Sequence, residues 1–354
     1  MSGTEWMIYG ASGYTGKLIA RLAKERGLTP VLAGRSASSI DPLAKELGFS
    51  VRIFDLADPA EVERNLKGMK VILHCAGPFS KTYRAMAEGC LAVGAHYLDI
   101  TGEIPVFEGL HHLSERAKKA KVALIPGVGF DVVPSDALAA FLKDSLPDAT
   151  SLELAFAPQG GVSPGTLKTM VEGLPFGGCV RREGKLIPAP MFSPAKTIKF
   201  SGGREILTAC IPWGDVSTAY FTTGIPNITT FAATPRPALF IGRTIRPFKH
   251  LLALPSVQNF LKGQVTKRVK GPSEGVREKG KVFLWGRVEN EKGESKEAHL
   301  DTCEGYRFTS LSAMAAVQIL LKNETLSGFF TPTQAFGPEF LNNIPGQSAP
   351  RLIS

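Results

Sequence analysis

Short apolar runs alternate with amphipathic stretches through the first third of the chain. The runs lie at 6–9, 30–34, 51–54, 71–75, 96–100 and 122–125. Between them apolar residues recur at helical spacing, as Leu18, Ile19 and Leu22 do after the first run, which predicts helices at 17–26, 39–47, 59–66, 83–93 and 110–119. Strands apolar on both faces, each followed by a helix, predict a parallel sheet covered on both sides. That is a Rossmann-type, doubly wound α/β domain.

The pattern changes after a helix expected at 134–146. Residues 151–156 alternate like a strand, 160–166 is a glycine-rich loop, and 167–174 has a helical pattern. Further strands are expected at 205–211, 227–233, 281–289 and 296–302, the last two flanking the hairpin signal Asn290-Glu291-Lys292-Gly293-Glu294. An α+β domain with a mostly antiparallel sheet follows. An apolar helix at 311–321 is expected to pack back on the first domain. The division is therefore a nucleotide-binding Rossmann domain at 1–135, a substrate or lid domain at 136–304, and a C-terminal helix and tail at 305–354 that returns to the Rossmann domain.

Composition agrees with two packed domains, since 44% of the 354 residues are hydrophobic and 21% charged. Cys75, Cys90, Cys179, Cys210 and Cys303 form no Cys-x-x-Cys pair and sit among apolar neighbours, the usage of a reduced, cytoplasmic protein. No Cys/His cluster has metal-ligand spacing, so no metal is expected. The start of the chain lacks the pattern of a secretory signal, and no apolar run approaches the roughly 18 residues of a membrane span.

The first strand ends in Gly10-Ala11-Ser12-Gly13-Tyr14-Thr15-Gly16, a strand–turn–helix passage that leaves backbone N–H groups at a helix N-terminus for a pyrophosphate. The second ends in Gly34-Arg35-Ser36, with no acid before Asp41. An NAD site places an acid there for the ribose hydroxyls; here Arg35 can pair with an adenosine 2′-phosphate and Ser36 can donate to it. NADP(H) is the expected cofactor, the plainer alternative for Arg35 being a solvated surface charge. Asp55 either accepts from the adenine amino group or caps the next helix. The small, turn-forming Ala76-Gly77-Pro78-Phe79 lets a flat ring approach the backbone. Tyr97, Asp99, Glu103 and Asp131 are candidate catalytic groups for moving a proton, with His74 behind them. Each has a structural alternative: Tyr97 as core, Asp99 as a turn cap, Asp131 as a loop anchor.

The glycine turn, Ala33-Gly34-Arg35, Cys75-Ala76-Gly77-Pro78-Phe79, His96-Tyr97-Leu98-Asp99-Ile100-Thr101-Gly102-Glu103 and Gly129-Phe130-Asp131-Val132-Val133-Pro134-Ser135-Asp136 together resemble the saccharopine dehydrogenase-like oxidoreductases, a group that includes trans-acting enoyl reductases. The resemblance covers about the first 140 residues and resumes at Gly305-Tyr306 and at Gly328-Phe329-Phe330-Thr331-Pro332. It implies an NAD(P)-binding Rossmann domain, a substrate domain and oxidoreductase activity. It does not imply saccharopine as substrate, because no convincing set of arginines for an amino-dicarboxylate stands out. Short-chain dehydrogenase chemistry, which needs Tyr-x-x-x-Lys, is excluded: the residues four after Tyr9, Tyr14, Tyr83, Tyr97, Tyr220 and Tyr306 are Gly13, Leu18, Ala87, Thr101, Gly224 and Ser310.

The net charge of +9 is concentrated. From 216 to 273 there is no Asp or Glu, while Arg236, Arg243, Arg246, Lys249, Lys262, Lys267, Arg268 and Lys270 fall inside, interleaved with apolar residues. The basic amphipathic segment 236–270 has three readings: a lid over an acyl substrate bound to CoA, phosphopantetheine or an acidic carrier; peripheral contact with an anionic membrane; or a helix packed on the sheet or at a homodimer interface. No nucleic-acid module is recognisable, so nucleic acid is not an expected partner. The function expected is NADPH-dependent reduction of an activated alkene, carbonyl or imine of a small-molecule or acyl substrate. The alternatives are a non-catalytic NADP-binding redox sensor and an amino-acid dehydrogenase.

Overall fold

The computed structural model describes residues 5–245, 249–322 and 325–353. The chain divides into two compact units, one running to Val133 and taking in Tyr306–Ile344, the other comprising Pro134–Gly305 and the residues from Pro345 on.

The first unit alternates β1 (Trp6–Tyr9), α1 (Tyr14–Glu25), β2 (Val31–Gly34), α2 (Ala37–Leu47), β3 (Val51–Ile53), α3 (Pro59–Leu66), β4 (Val71–His74), α4 (Phe79–Val93), β5 (His96–Asp99), α5 (Ile104–His111), α6 (Ser114–Ala120) and β6 (Ala123–Ile125). A seventh strand, Gly328–Phe329, joins beside β6, and the all-parallel order is 328–329, β6, β5, β4, β1, β2, β3. Met7, Ile8, Leu32, Ile72, Leu73 and Leu98 are wholly buried, which is why these strands read as continuous apolar runs. Strand order reverses between β1 and β4, where Tyr9 pairs with His74. A ligand of such a sheet lies beyond the carboxyl ends of the strands at that reversal.

Two elements depart from the sequence expectation here. α4 begins at Phe79, a turn before the expected 83, because a carboxylate from another loop binds its first N–H groups. The helix expected at 110–119 is two helices, α5 and α6, separated at His112-Leu113.

The second unit carries α7 (Val133–Ser145), β7 (Ser151–Pro158), α8 (Pro164–Gly173), β8 (Gly178–Arg182), β9 (Lys185–Ala189), β10 (Ala195–Phe200), β11 (Arg204–Cys210), α9 (Asp215–Thr223), β12 (Asn227–Ala233), α10 (Arg236–Ile245), α11 (Lys249–Leu252), α12 (Pro255–Arg268), α13 (Glu274–Lys279), β13 (Lys281–Glu289) and β14 (Ser295–Cys303). Its sheet runs β10, β11, β12, β7, β13, β14 and is antiparallel except where β12 meets β7. Phe231, Phe283, Trp285, Phe200 and Ile198 form the core on one face. On the other, α7 packs so closely that a Cβ on Gly286 would stand 2.6 Å from Leu142.

The helix read at 311–321 extends over Gly305–Lys322 and is in the first unit from Tyr306 on. The tail does not follow it. Residues from 345, grouped by sequence with the segment 305–354, lie in the second unit, where Arg351–Ile353 pairs antiparallel with β14. The Ser348 N–H donates to Asp301 O at 2.7 Å and its Oγ accepts from the Asp301 N–H at 2.9 Å. The tail thus satisfies an edge that would otherwise be open.

Candidate active site

The glycine turn is tight enough that two of its glycines are structural requirements. Gly10 has φ +85°, and a Cβ there would lie 2.7 Å from Ala76 N; one on Gly16 would lie 2.4 Å from Gly10 O. Gly13 differs. Its φ and ψ of −69° and 166° suit any residue, it is exposed, and an added Cβ would meet only Gly10 O, at 3.2 Å. No side chain caps α1 at Gly13. Its open side is the approach to the helix N-terminus, with the N–H groups of Tyr14, Thr15 and Gly16 beyond it. Tyr14 packs edge-on against Tyr306 at 5.0 Å, which ties the turn to the C-terminal helix of the same unit.

Arg35 and Ser36 leave β2 exposed. Ser36 Oγ lies 3.0 Å from Ser38 Oγ and 3.1 Å from Ser39 Oγ, and Ser36 occupies the N-cap of α2 without capping it. A groove of about 470 Å³ lies beside this corner, lined by Ser12, Lys17, Ser38 and Ser39 and by the Arg21–Glu46 ion pair, while Arg35 and Ser36 stand outside its lining. A guanidinium, several hydroxyls and a helix N-terminus form a donor set that suits a phosphate monoester, with no acid at the strand end to repel it. Asp55 is exposed at the end of β3 and its Oδ1 accepts from Ala57 N at 2.9 Å. The cap of α3 is Asp58, which accepts from Ala60 N at 2.9 Å, so the capping alternative for Asp55 is not realised.

The loops after β4, β5 and β6 are knitted together by the run from Asp99 to Glu103. Asp99 is wholly buried; its Oδ1 accepts from Thr101 N (3.0 Å) and Gly127 N (2.8 Å), and its Oδ2 from Tyr97 Oη–H (2.7 Å). Glu103 reaches the other way and accepts from Phe79 N (2.8 Å) and Ser80 N (2.9 Å) at the start of α4. This holds Ala76-Gly77-Pro78-Phe79, with its cis Gly77–Pro78 bond, against the β5 loop. Asp131 packs on the same loop, since a Cβ on Gly102 would stand 2.9 Å from Asp131 Oδ2. From the C-terminal helix, Thr309 Oγ1 accepts from Phe130 N at 3.0 Å and Ser312 Oγ donates to Val128 O at 2.7 Å.

The electrostatics separate these groups. Burial pushes the Asp99 carboxyl up to about 6 against its three hydrogen bonds, and pushes Asp131 up to about 7 with help from the Glu103 charge. Tyr97, buried and facing Asp99, is held well above the ordinary phenol range. His74 is pushed down to about 3 by burial. The Thr82 hydroxyl donates to Ala76 O at 2.8 Å, so it accepts from His74 Nε2–H at 2.9 Å and the imidazole is neutral. His74 therefore props the β4 loop and has no proton to give.

Asp99 carries a stability prediction. Its pKa is higher folded than unfolded, so the folded chain binds the proton more tightly, and the stability this brings is full below about pH 4 and lost as pH rises to about 6. Urea unfolding of wild type and Asp99→Asn across that range is expected to differ in slope, with the Asn variant flatter. Asp99→Ala, which strands two buried N–H groups and a phenol, is expected to cost at least about 3 kcal/mol. Parallel pH slopes would show that Asp99 does not titrate in this range.

Cofactor-type and proton-type candidates are thus brought to one end of one sheet. Ser135 and Asp136, from the same motif as Asp131, are not part of it: Ser135 Oγ donates to Asp215 at 2.5 Å and Asp136 accepts from Thr222 at 2.6 Å, fastening α7 to α9. Glu103, a candidate proton donor by sequence, is a clamp on the start of α4. Thr309 and Ser312 were missed; hydroxyls three apart on an apolar helix were their only signal.

Residues 6–125 match the family described as "Saccharopine dehydrogenase NADP binding domain". The human "Saccharopine dehydrogenase-like oxidoreductase" is 27% identical over 249 residues, which cover 60% of this chain and 57% of that protein. The "Trans-acting enoyl reductase" of Mycobacterium bovis is 28% identical over 185 residues, 48% of this chain and 44% of that one. The chain thus spans about half the length of the relatives it matches. Apo saccharopine dehydrogenase (L-Glu forming) from Saccharomyces cerevisiae superposes with a TM-score of 0.65 over 99% of this chain and 100% of that one at 12% identity, which shows a shared fold. Residues 6–125 are an NADP-binding domain, and over about 60% of its length the chain is similar to the saccharopine dehydrogenase-like oxidoreductases.

Proposed function

We propose that this chain is an NADPH-dependent reductase acting on an activated alkene, carbonyl or imine of a lipophilic or carrier-bound substrate, in the manner of an enoyl reductase. The observation that carries the reading is the convergence at one sheet end of a phosphate-binding turn, a 2′-phosphate corner and a carboxyl group poised near neutrality. Gly10, Ser12, Gly13, Tyr14, Thr15 and Gly16 hold the pyrophosphate, Arg35 and Ser36 the 2′-phosphate, and Asp55 the adenine. Ala76, Gly77, Pro78 and Phe79 form the wall against which the nicotinamide is oriented.

Bound NADPH supplies a hydride. The chain supplies the proton. Tyr97 and Asp99 are wholly buried, out of reach of a substrate, which makes them positioning residues. Asp131 is half-buried, sits on the loop that closes the sheet end and holds a proton near pH 7. The enoyl reading draws on the name of the mycobacterial relative. A cytoplasmic location is part of the same proposal; among the described residues, no helix is long and apolar enough to cross a membrane.

Two measurements test it. Deuteride from stereospecifically labelled NADPH is expected in the product of at least one class in a panel of enoyl, keto and imine substrates; NADPH binding with no transfer to any class would assign a redox-reporting protein instead. Arg35→Ala is expected to weaken NADPH by about 10- to 100-fold in fluorescence titrations, the loss of a charge-assisted contact, and to leave NADH nearly unchanged. Equal losses for both would place the 2′-phosphate elsewhere.

A further inference from the structure

We propose that the basic segment of the second unit is a peripheral docking surface for an anionic lipid bilayer. This goes beyond the reductase reading and does not depend on it. Half of the large apolar side chains that the described residues leave exposed, including the most exposed of them, gather in this segment and the helix it packs on: Phe240 is 70% exposed, Phe260 64%, Leu251 55%, Leu254 46% and Met170 46%. Among the described residues, two helices of the segment each present a packed face and, opposite it, an exposed one. On α12, Gln258 donates to Val171 O and Lys262 pairs with Glu172 at 2.8 Å, both on α8 or its end, while Phe260 and Lys267, seven residues apart and so on one face, are exposed. On α10, Gly242 packs under Phe192, while Arg236, Phe240 and Thr244, spaced by four, are exposed. Each helix turns an aromatic ring and a cation outward together.

The charge says what covers this face. No acid occurs from 216 to 273, and Arg236, Lys267, Arg268 and Lys270 are exposed within it. A second copy of the chain would bring the same cations to the interface, and like charges would oppose it. An anionic headgroup layer complements the cations and takes the rings and leucines at the acyl boundary, the division of labour of an interfacial helix. Arg246, Pro247 and Phe248 lie outside the described residues, as do the side chains of Ile241, Arg243, Ile245 and Lys249.

The test is co-sedimentation of the full chain with phosphatidylcholine vesicles, with and without phosphatidylserine. Binding is expected only with phosphatidylserine, and is expected to fall as salt is raised. The double variant Phe240→Ser, Phe260→Ser is expected to lose at least about tenfold in partitioning, and Lys267→Glu with Arg268→Glu about fivefold or more per charge, both retaining the wild-type urea unfolding midpoint and circular dichroism as the sign of an intact fold. Failure of the wild-type chain to sediment with anionic vesicles at low salt would overturn the proposal. So would undiminished binding by both variants, or a dimer that the phenylalanine variants convert to monomer, which would make the face an interface between copies. Binding to an acidic carrier protein with none to vesicles would overturn it equally.

Discussion

Gly10→Ala is expected to destabilise the first unit by about 2–5 kcal/mol, and Gly13→Ala, three residues on, to leave stability within about 0.5 kcal/mol while weakening NADPH at least tenfold. The first figure joins two costs. A side chain at φ +85° costs about 1–2 kcal/mol, and forcing a methyl to 2.7 Å from Ala76 N and 2.8 Å from Cys75 C, both backbone atoms of the passage out of β4, costs about 1–3 more. Against a total of about 5–15 kcal/mol, that removes a large part of the margin. At Gly13 the backbone is ordinary and the position exposed, so the methyl costs the fold only a tight 3.2 Å contact with Gly10 O and chiefly occupies the space through which a phosphate reaches the helix N-terminus. Urea unfolding and fluorescence titration of the two variants separate the effects. Full NADPH affinity in Gly13→Ala would remove the pyrophosphate from this turn; wild-type stability in Gly10→Ala would mean that the β1 and β4 ends part more easily than their packing indicates.

The same contrast marks what was legible in the sequence. The parallel strands were visible because burial on both faces demands unbroken apolar runs, and α3 at Pro59–Leu66 and β13 at Lys281–Glu289 match their expected bounds. What was hidden depended on distant partners. The hairpin of β8 and β9 turns at Glu183 and Gly184, both at positive φ, where Asn-Gly would have announced it. Glu183 accepts that conformation with its N–H bound by Asn227 Oδ1 at 3.1 Å and Gly184 N–H bound by Pro226 O at 2.9 Å. α4 begins early for a similar reason: its cap is the Glu103 side chain, from beyond the following strand. At the site, residue types gave the candidates and packing ranked them. Nothing in Asp99-Ile100-Thr101-Gly102-Glu103 says which acid is buried, which clamps a helix, or that Gly102 makes room for Asp131.

That ranking has its sharpest consequence at Asp131. Asp131→Asn keeps the shape of the side chain but can neither hold nor release the proton, and is expected to lower kcat by about 10²–10³ with NADPH affinity within about twofold. The pH profile is the stronger readout. A donor with a pKa of about 7 must be protonated to act, so kcat in the wild type is expected to fall as pH rises through 7, and the Asn variant to lose that limb. Glu103 supplies an internal check. Its charge raises the Asp131 pKa, so Glu103→Gln is expected to move the limb to lower pH, while the Gln amide oxygen still accepts one N–H of α4. A purely structural disturbance at Glu103 would lower kcat at every pH and leave the limb in place. If Asp131→Asn keeps the limb as well, the proton reaches the substrate by another route, as it would where water completes the reduction of an alkene.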